Sequence, residues 1–383
     1  MKLKSLFLLL ILAMMLLFAG CERKTTETII QTIPGGSATY LGSKACEACH
    51  TDDGKYPNFM RTGHPYKLND IDSAMRPVGQ YYPFTTVPLP SDLNASDLSM
   101  VIGGFWWKAR YINNLGEILT GADRQYNFAT DEFVAYDAAN APSIDYDCGE
   151  CHTTGYEPDG NHQNGLPGLV GTWELNGIQC EECHGPGSLH ASDPYNTPDM
   201  IVDYDSEQCG KCHVRGELGT IPASGGFIMH HEQYNEVYVT KHSTLQRGCV
   251  HCHDVHYTLH PQASIPERDA AIVVDCESCH PDEEVSFANT DVDDHLTDPA
   301  GPSECIDCHM PFAVKSAVSP SNFVGDVRSH LFRINADSLA EMFSPDGSMA
   351  NGYLTLEFTC LRCHDDESKA WAARHADDIH IAP

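Results

Sequence analysis

The chain has 383 residues, of which 54 are acidic and 23 basic, giving a formal charge of −31. Such a surface repels nucleic acid and anionic lipid headgroups and favours partners with basic faces, although simple solubility accounts for the charge equally well. The 42% hydrophobic fraction counts 17 cysteines, so the ordinary side-chain core is thinner than that figure implies.

Lys2 and Lys4 precede an apolar run from Leu6 to Phe18, followed by Ala19, Gly20 and Cys21. The run is too short and wrongly flanked for a transmembrane span and reads as a secretory signal peptide over residues 1–20. Small residues before a lone cysteine resemble a bacterial lipobox, with Phe18 where the usual pattern has Leu, Val or Ile. Cys21 is therefore expected to be lipidated and to become the mature N-terminus, the alternative being ordinary cleavage to a soluble periplasmic protein. Residues 21–38 are Thr-rich and include Pro34, Gly35, Gly36 and Ser37, the composition of a flexible tether. No later run is long enough to span a bilayer.

Beyond the tether one pattern, Cys-x-x-Cys-His, occurs eight times. The copies are Cys46, Cys49 and His50; Cys148, Cys151 and His152; Cys180, Cys183 and His184; Cys209, Cys212 and His213. They continue with Cys249, Cys252 and His253; Cys276, Cys279 and His280; Cys305, Cys308 and His309; Cys360, Cys363 and His364. A thioredoxin-type pair would occur once beside a βαβ pattern. A zinc site would not require His after every second Cys, and a disulfide framework sets no two-residue spacing. The pattern is the attachment sequence of haem c: two thiols become thioethers on the vinyl groups, and the adjacent histidine reaches the iron. Eight covalently attached haems are expected, and their attachment outside the cytoplasmic membrane agrees with the export signal.

Residues 39–147 hold the first motif and the longest interval without another. Aromatics crowd that interval at 81–84, at Phe105, Trp106 and Trp107, and at Tyr111, Tyr126 and Phe128. The stretch 108–120 reads as two short strands around an Asn113-Asn114-Leu115-Gly116 turn, so residues 75–145 are expected to form a small β-rich module whose aromatics serve packing. Residues 148–383 carry seven motifs whose starts lie 27 to 55 residues apart, an array with one haem per unit. Residues 365–378 have helix-forming composition and are expected to end the fold as a helix. The fold expected is that of a multihaem cytochrome c, with mainly short α-helices and irregular loops wrapped around stacked haems and a small β-rich insert.

Of 21 histidines, eight stand in motifs, which leaves 13 for at most eight sixth ligands. The surplus favours bis-histidine iron, which has no open position and passes electrons. The preferred distal ligands are His64, His190, His230 or His231, His242, His256, His295, His330 and His375. Proximal and distal ligands occupy opposite faces of the porphyrin, so His256, three residues after His253, is expected to serve a neighbouring haem. His190 is ambiguous on the same argument. His64 and His375 are far enough from their motifs to fold back on their own haems. His251 points away from its own iron, and His162, His260 and His380 read as surface residues. Met310 directly follows His309 and faces the same obstacle as His256.

The stretch from Tyr40 through His50, with His64 downstream, resembles the start of the multihaem family that includes the tetrahaem cytochromes accepting electrons from hydroxylamine oxidoreductase. Gly171-Thr172-Trp173-Glu174, Cys180 to Gly187 with Ser188-Leu189-His190, and the stretch from Gly325 to Arg333 resemble segments of larger secreted relatives. The resemblance covers most of residues 40–375 and implies closely stacked haem pairs, parallel or perpendicular, forming a continuous electron path. It also implies distal roles for His64, His190 and His330.

The leading expectation is an electron-relay lipoprotein at a bacterial membrane surface, facing the periplasm or on the outer membrane. Its partners would be redox proteins, other cytochromes among them, with no nucleic acid. A second reading is an octahaem reductase or oxidase of small nitrogen or sulfur oxo-compounds with one open iron; one route to it, a Cys-x-x-Cys-Lys motif, is absent. A third is a self-associating subunit of a cytochrome filament.

Overall fold

The computed structural model describes residues 37–71, 87–196, 200–245, 247–260, 268–282, 304–376 and 379–380, all but 37–38 within the unit Thr39–Pro383. Residues 1–20, Cys21, nearly all of the tether, the aromatics at 81–84 and His295 lie outside them. Among the described residues no helix is long and apolar enough to cross a membrane.

The regular structure is concentrated in a seven-stranded antiparallel sheet: β1 (Leu68–Asp70), β2 (Leu98–Gly103), β3 (Lys108–Asn113), β4 (Glu117–Leu119), β5 (Gly121–Asn127), β6 (Glu132–Tyr136) and β7 (Ser143–Asp145). The order is β1-β2-β3-β4-β7, with β5 also pairing β3 and β6 lying on β5. The two strands expected around Asn113–Gly116 are β3 and β4; Asn113 closes their turn by accepting from the Leu115 and Glu117 amides at 2.9 and 3.0 Å.

Side chains alternate across a strand, and β3 uses both faces. Ala109 and Tyr111 join Val87, Leu98, Val101 and Tyr126 in one core. Ile112 joins Leu68, Met100, Ile102, Ile118, Tyr146, Leu169 and Trp173 in the other, with Cys148 packed against it. Lys108 and Arg110 share the parity of Ile112, so the strand aims two cations towards the second motif. A bulge between Leu98 and Met100 adds one residue to β2 and lets Leu98 and Val101 serve the same face.

After the sheet, regular elements shrink to a few residues. A third core gathers Ile221, Phe227, Ile228, Val314, Leu331, Met342, Leu354 and Phe358 from loops, strands of two or three residues and the turn Glu357–Leu361. The closing helix is Lys369–His375, shorter than the expected 365–378, because Ser368 caps it by accepting from the Trp371 amide at 3.1 Å.

Candidate haem sites and the path between them

Each motif sits in or beside one turn of helix. Ser43–His50, Gly149–His152, Cys180–His184, Ser206–Gly210 and Cys305–His309 are α-helical; Gly248–His251 and Cys276–Ser278 are 3₁₀ turns; Glu357–Leu361 is a π turn. The amide of the histidine donates to the carbonyl of the first cysteine at 2.9 to 3.1 Å in the motifs of His213, His253, His280 and His364. Positions i, i+3 and i+4 share one helical face, so one closed turn presents two thiols and an imidazole together. None of the sixteen motif cysteines is in a disulfide.

The imidazoles come in facing pairs. Metal–imidazole bonds of about 2 Å, plus just over 1 Å from nitrogen to ring centre, place two rings on one metal roughly 6 to 6.5 Å apart. Ring centres of His64 and His213 are 6.2 Å apart, His152 and His231 6.5 Å, and His184 and His256 6.2 Å. His242 and His280 are at 6.1 Å, His253 and His330 at 6.2 Å, and His309 and His380 at 6.0 Å. Six motif histidines thus face a second histidine at the spacing a shared iron requires, with His231 also 6.4 Å from His213 and so standing between the second and fourth motifs, and the donor set fits haem c.

Hydrogen bonds orient several of these rings. An Nδ1 that faces an oxygen acceptor carries the proton and leaves Nε2 bare for a metal. His184 Nδ1 lies 2.6 Å from the Ile201 carbonyl, His309 Nδ1 2.7 Å from that of Phe332, and His213 Nδ1 3.1 Å from the Gln233 side-chain oxygen. His50 and His256 face the carboxylates of Asp53 and Asp254 at 2.8 and 2.7 Å. His330 is set through its backbone: its amide and the Ser329 hydroxyl both donate to buried Glu236. Burial pushes the Glu236 carboxyl up to about 8, against those two hydrogen bonds. Burial likewise keeps His64, His152 and His330 neutral, pushed down to about 3, the form a ligand needs.

The positions revise several expectations. His64 stands against His213 of the fourth motif instead of returning to the first. His375 stacks 4.3 Å from Trp371, whose ring is 5.0 Å from His364. His230 is 4.0 Å from His231, and it is His231 that faces a motif histidine. The turn bearing His190 is tied to the chain before the first motif, where Thr39 and Ser188 exchange hydrogen bonds of 2.8 and 3.2 Å; His190 Nδ1 is buried there without a partner. His162 bonds the Leu169 carbonyl at 2.9 Å.

Two histidines taken as surface residues have specific surroundings. His380 faces His309 as above. His260 is buried, stacked 3.6 Å from Trp106 and edge-on to Trp107 at 4.4 Å. Both tryptophans have positive φ, 59° and 44°, in the β2–β3 connection. Gly103 permits that turn, since a Cβ there would meet the Lys108 carbonyl at 2.8 Å. Neither position carries a motif or a spacing signal, so sequence alone could not single it out.

The motifs also touch one another. Between the first and third, the Cys180 amide donates to Ser43 Oγ at 3.1 Å, and buried Glu181 accepts from the Leu41, Gly42 and Gly187 amides. Third and fourth meet through Gln208 and the Glu182 carbonyl, 3.4 Å. Fourth and second meet where Cys151 Sγ reaches the Lys211 carbonyl and Cys212 Sγ that of Glu150, at 3.8 and 3.9 Å. The fourth and fifth meet where Gly248 packs on Ser206, so closely that a Cβ at Gly248 would fall 2.0 Å from Ser206 Oγ. The Val273 amide joins the sixth-motif approach to Cys252 at 2.9 Å, Cys305 Sγ lies 3.4 Å from Glu277, and Arg362 donates to the Asp307 carbonyl at 2.7 Å. The spatial order is one, three, four, five, six, seven, eight, with the second motif branching off at the third and fourth, since the Gly155 amide also donates to Glu182 at 3.1 Å.

Comparison with known proteins bears on the fold. Residues 118–185 match the family described as cytochrome c554 and c-prime. The outer cell wall cytochrome OcwA is similar in structure, with a TM-score of 0.56, 19% identity, and coverage of 88% of this chain and 86% of that one. The octaheme sulfite reductase MccA of Wolinella succinogenes gives a TM-score of 0.57 at 14% identity over 85% of this chain and 65% of that one. No curated protein sequence gives a significant match. The chain has the fold of a multihaem c-type cytochrome.

Proposed function

We propose that the chain is an octahaem c-type cytochrome that relays electrons at the bacterial cell envelope, exported and held to a membrane by lipid on Cys21. The observation that carries this reading is the set of six facing histidine pairs strung along motifs that touch in unbroken succession. In it His64, His231, His256, His330, His242 and His380 complete the irons of His213, His152, His184, His253, His280 and His309. His190 is assigned to the iron of His50 by its tie to that motif. Bound haem supplies one-electron redox chemistry and apolar bulk. The chain's residues fix ring orientation, exclude water and set the charge around each iron. The excess negative charge supports docking of a redox protein with a basic face.

The test is the EPR spectrum of the oxidised holoprotein, together with CO binding to the reduced form and haem counting by intact mass. Eight haems, only low-spin ferric signals and no CO uptake are expected, with His375, whose Nδ1 lies 2.9 Å from the Trp371 carbonyl and whose Nε2 is left bare, completing the iron of His364. A high-spin signal of about one haem with matching CO uptake would favour a reductase instead. The fold likeness to a sulfite reductase is the observation behind that second reading.

A further inference from the structure

Of the six facing pairs, that of His184 and His256 differs from the rest in how its rings are held. Its planes lie 10° from parallel, against 44° to 72° in the other five. Both rings are pinned at Nδ1: His184 donates to the Ile201 carbonyl at 2.6 Å and His256 to Asp254 Oδ1 at 2.7 Å. Asp254 Oδ1 also accepts from the His256 backbone amide at 3.0 Å, and the Asp254 amide donates to the Ala271 carbonyl at 3.0 Å, so the carboxylate is set by its own turn. Its other oxygen, Oδ2, lies 3.3 Å from Lys55 Nζ. Lys55 opens the helix Lys55–Phe59 just after the first motif, and its amide donates at 2.9 Å to Asp53, whose carboxylate faces His50. A further carboxylate stands inside the third motif: Glu181 is 2% exposed and accepts the Leu41, Gly42 and Gly187 amides. The fourth motif is furnished differently. The acceptor on His213 is neutral, the Gln233 side-chain oxygen, and more distant, at 3.1 Å.

We propose that Asp254 is a positioning residue that acts through His256 to make the iron of His184 a weaker electron acceptor than the iron of His213, which directs electrons from the third motif to the fourth. The inference rests on the octahaem reading, which assigns His256 to that iron. A ligand imidazole that donates to a carboxylate becomes more basic. It then favours ferric iron, which carries one more positive charge than ferrous. A neutral oxygen makes the weaker hydrogen bond and polarises the ring less. Lys55 draws on the same carboxylate from its far side and opposes the effect, but its side chain is 44% exposed and its share is therefore the smaller one. Glu181 adds buried negative charge within the same motif and acts in the same direction as Asp254. The transfer is one electron from the iron of His184 to the iron of His213, oxidising the first and reducing the second, with no bond made or broken and no proton moved.

The experiment is a potentiometric titration of the holoprotein followed by EPR, in wild type, Asp254→Asn and Lys55→Met, with intact mass read on each. Near-parallel imidazole planes separate the two iron orbitals that overlap the rings and give a rhombic low-spin signal, whereas strongly crossed planes give a highly anisotropic one. The iron of His184 therefore belongs to the rhombic part of the spectrum and that of His213, at 72°, to the most anisotropic. In wild type a rhombic component should be reduced after the most anisotropic one. Asp254→Asn keeps an oxygen for the ring N–H and removes the charge, and should raise that component's electron affinity about tenfold, roughly 59 mV for a one-electron couple. Lys55→Met should lower it, by about threefold. A merely structural role would move both variants the same way. Asp92→Asn, which removes a carboxylate paired with Arg124, should change nothing. If Asp254→Asn does not accumulate, Lys55→Met decides alone, a lowered affinity supporting the proposal and an unmoved or raised one overturning it. Fewer than eight haems in wild type overturns the octahaem reading. Eight haems with the rhombic component unmoved in Asp254→Asn, shifted the same way in both variants, or reduced before the most anisotropic one in wild type overturns this proposal alone.

Discussion

The sheet of residues 98–145 and the motif array after it are stabilised by different means. The sheet carries its own register, two apolar faces and closed turns, and Tyr111 and Ile112 are wholly buried on opposite sides of β3. The array has one-turn helices, two-residue strands and histidines that face one another across the width of a cofactor. The comparison teaches that the first region is folded by its side chains and the second by what its side chains hold.

The largest effect that would break this contrast is at the fourth motif, which touches three others. Cys209→Ala with Cys212→Ala should yield protein with fewer than seven haems by intact mass, or none that accumulates. Cys360→Ala with Cys363→Ala, at the end of the order, should accumulate with seven. Equal outcomes for the two would remove the junction.

Within the sheet, Ile112→Ala should cost about 2–5 kcal/mol, measured as a lower urea midpoint for the far-UV signal of the strands, with eight haems retained. A fall in haem number would show that the sheet and the array are not separable. A smaller effect is expected at Glu236, which anchors the His330 amide. Glu236→Ala leaves a buried donor unsatisfied, worth about 1–3 kcal/mol, and should add a high-spin EPR feature. Glu236→Gln should not, because Gln keeps a side-chain oxygen to accept from that amide and burial already favours a neutral group there.

The smallest effect concerns the surface. Binding of a basic redox protein should weaken steadily as salt shortens the Debye length, about 10 Å at 0.1 M. Titration calorimetry showing the same affinity at low and high salt would leave the −31 charge with solubility as its sole role.

The covalent chemistry was legible in the sequence because it is local. Cys-x-x-Cys-His needs one helical turn, and a turn is specified by five residues. The hairpin at Asn113–Gly116 was legible for the same reason, through a side chain that caps its own backbone. The histidines that face the motif histidines were not. His64 lies 14 residues from His50 and 149 from His213, yet the second is its neighbour. His380 faces His309 from near the chain's end, while His375, better placed in sequence, stacks on Trp371. Sequence alone determined where the Cys-x-x-Cys-His motifs stand and what chemistry they call for. Tertiary structure decided which histidines face the motifs and which motifs touch, because those contacts join segments whose separation along the chain carries no information about their distance in space.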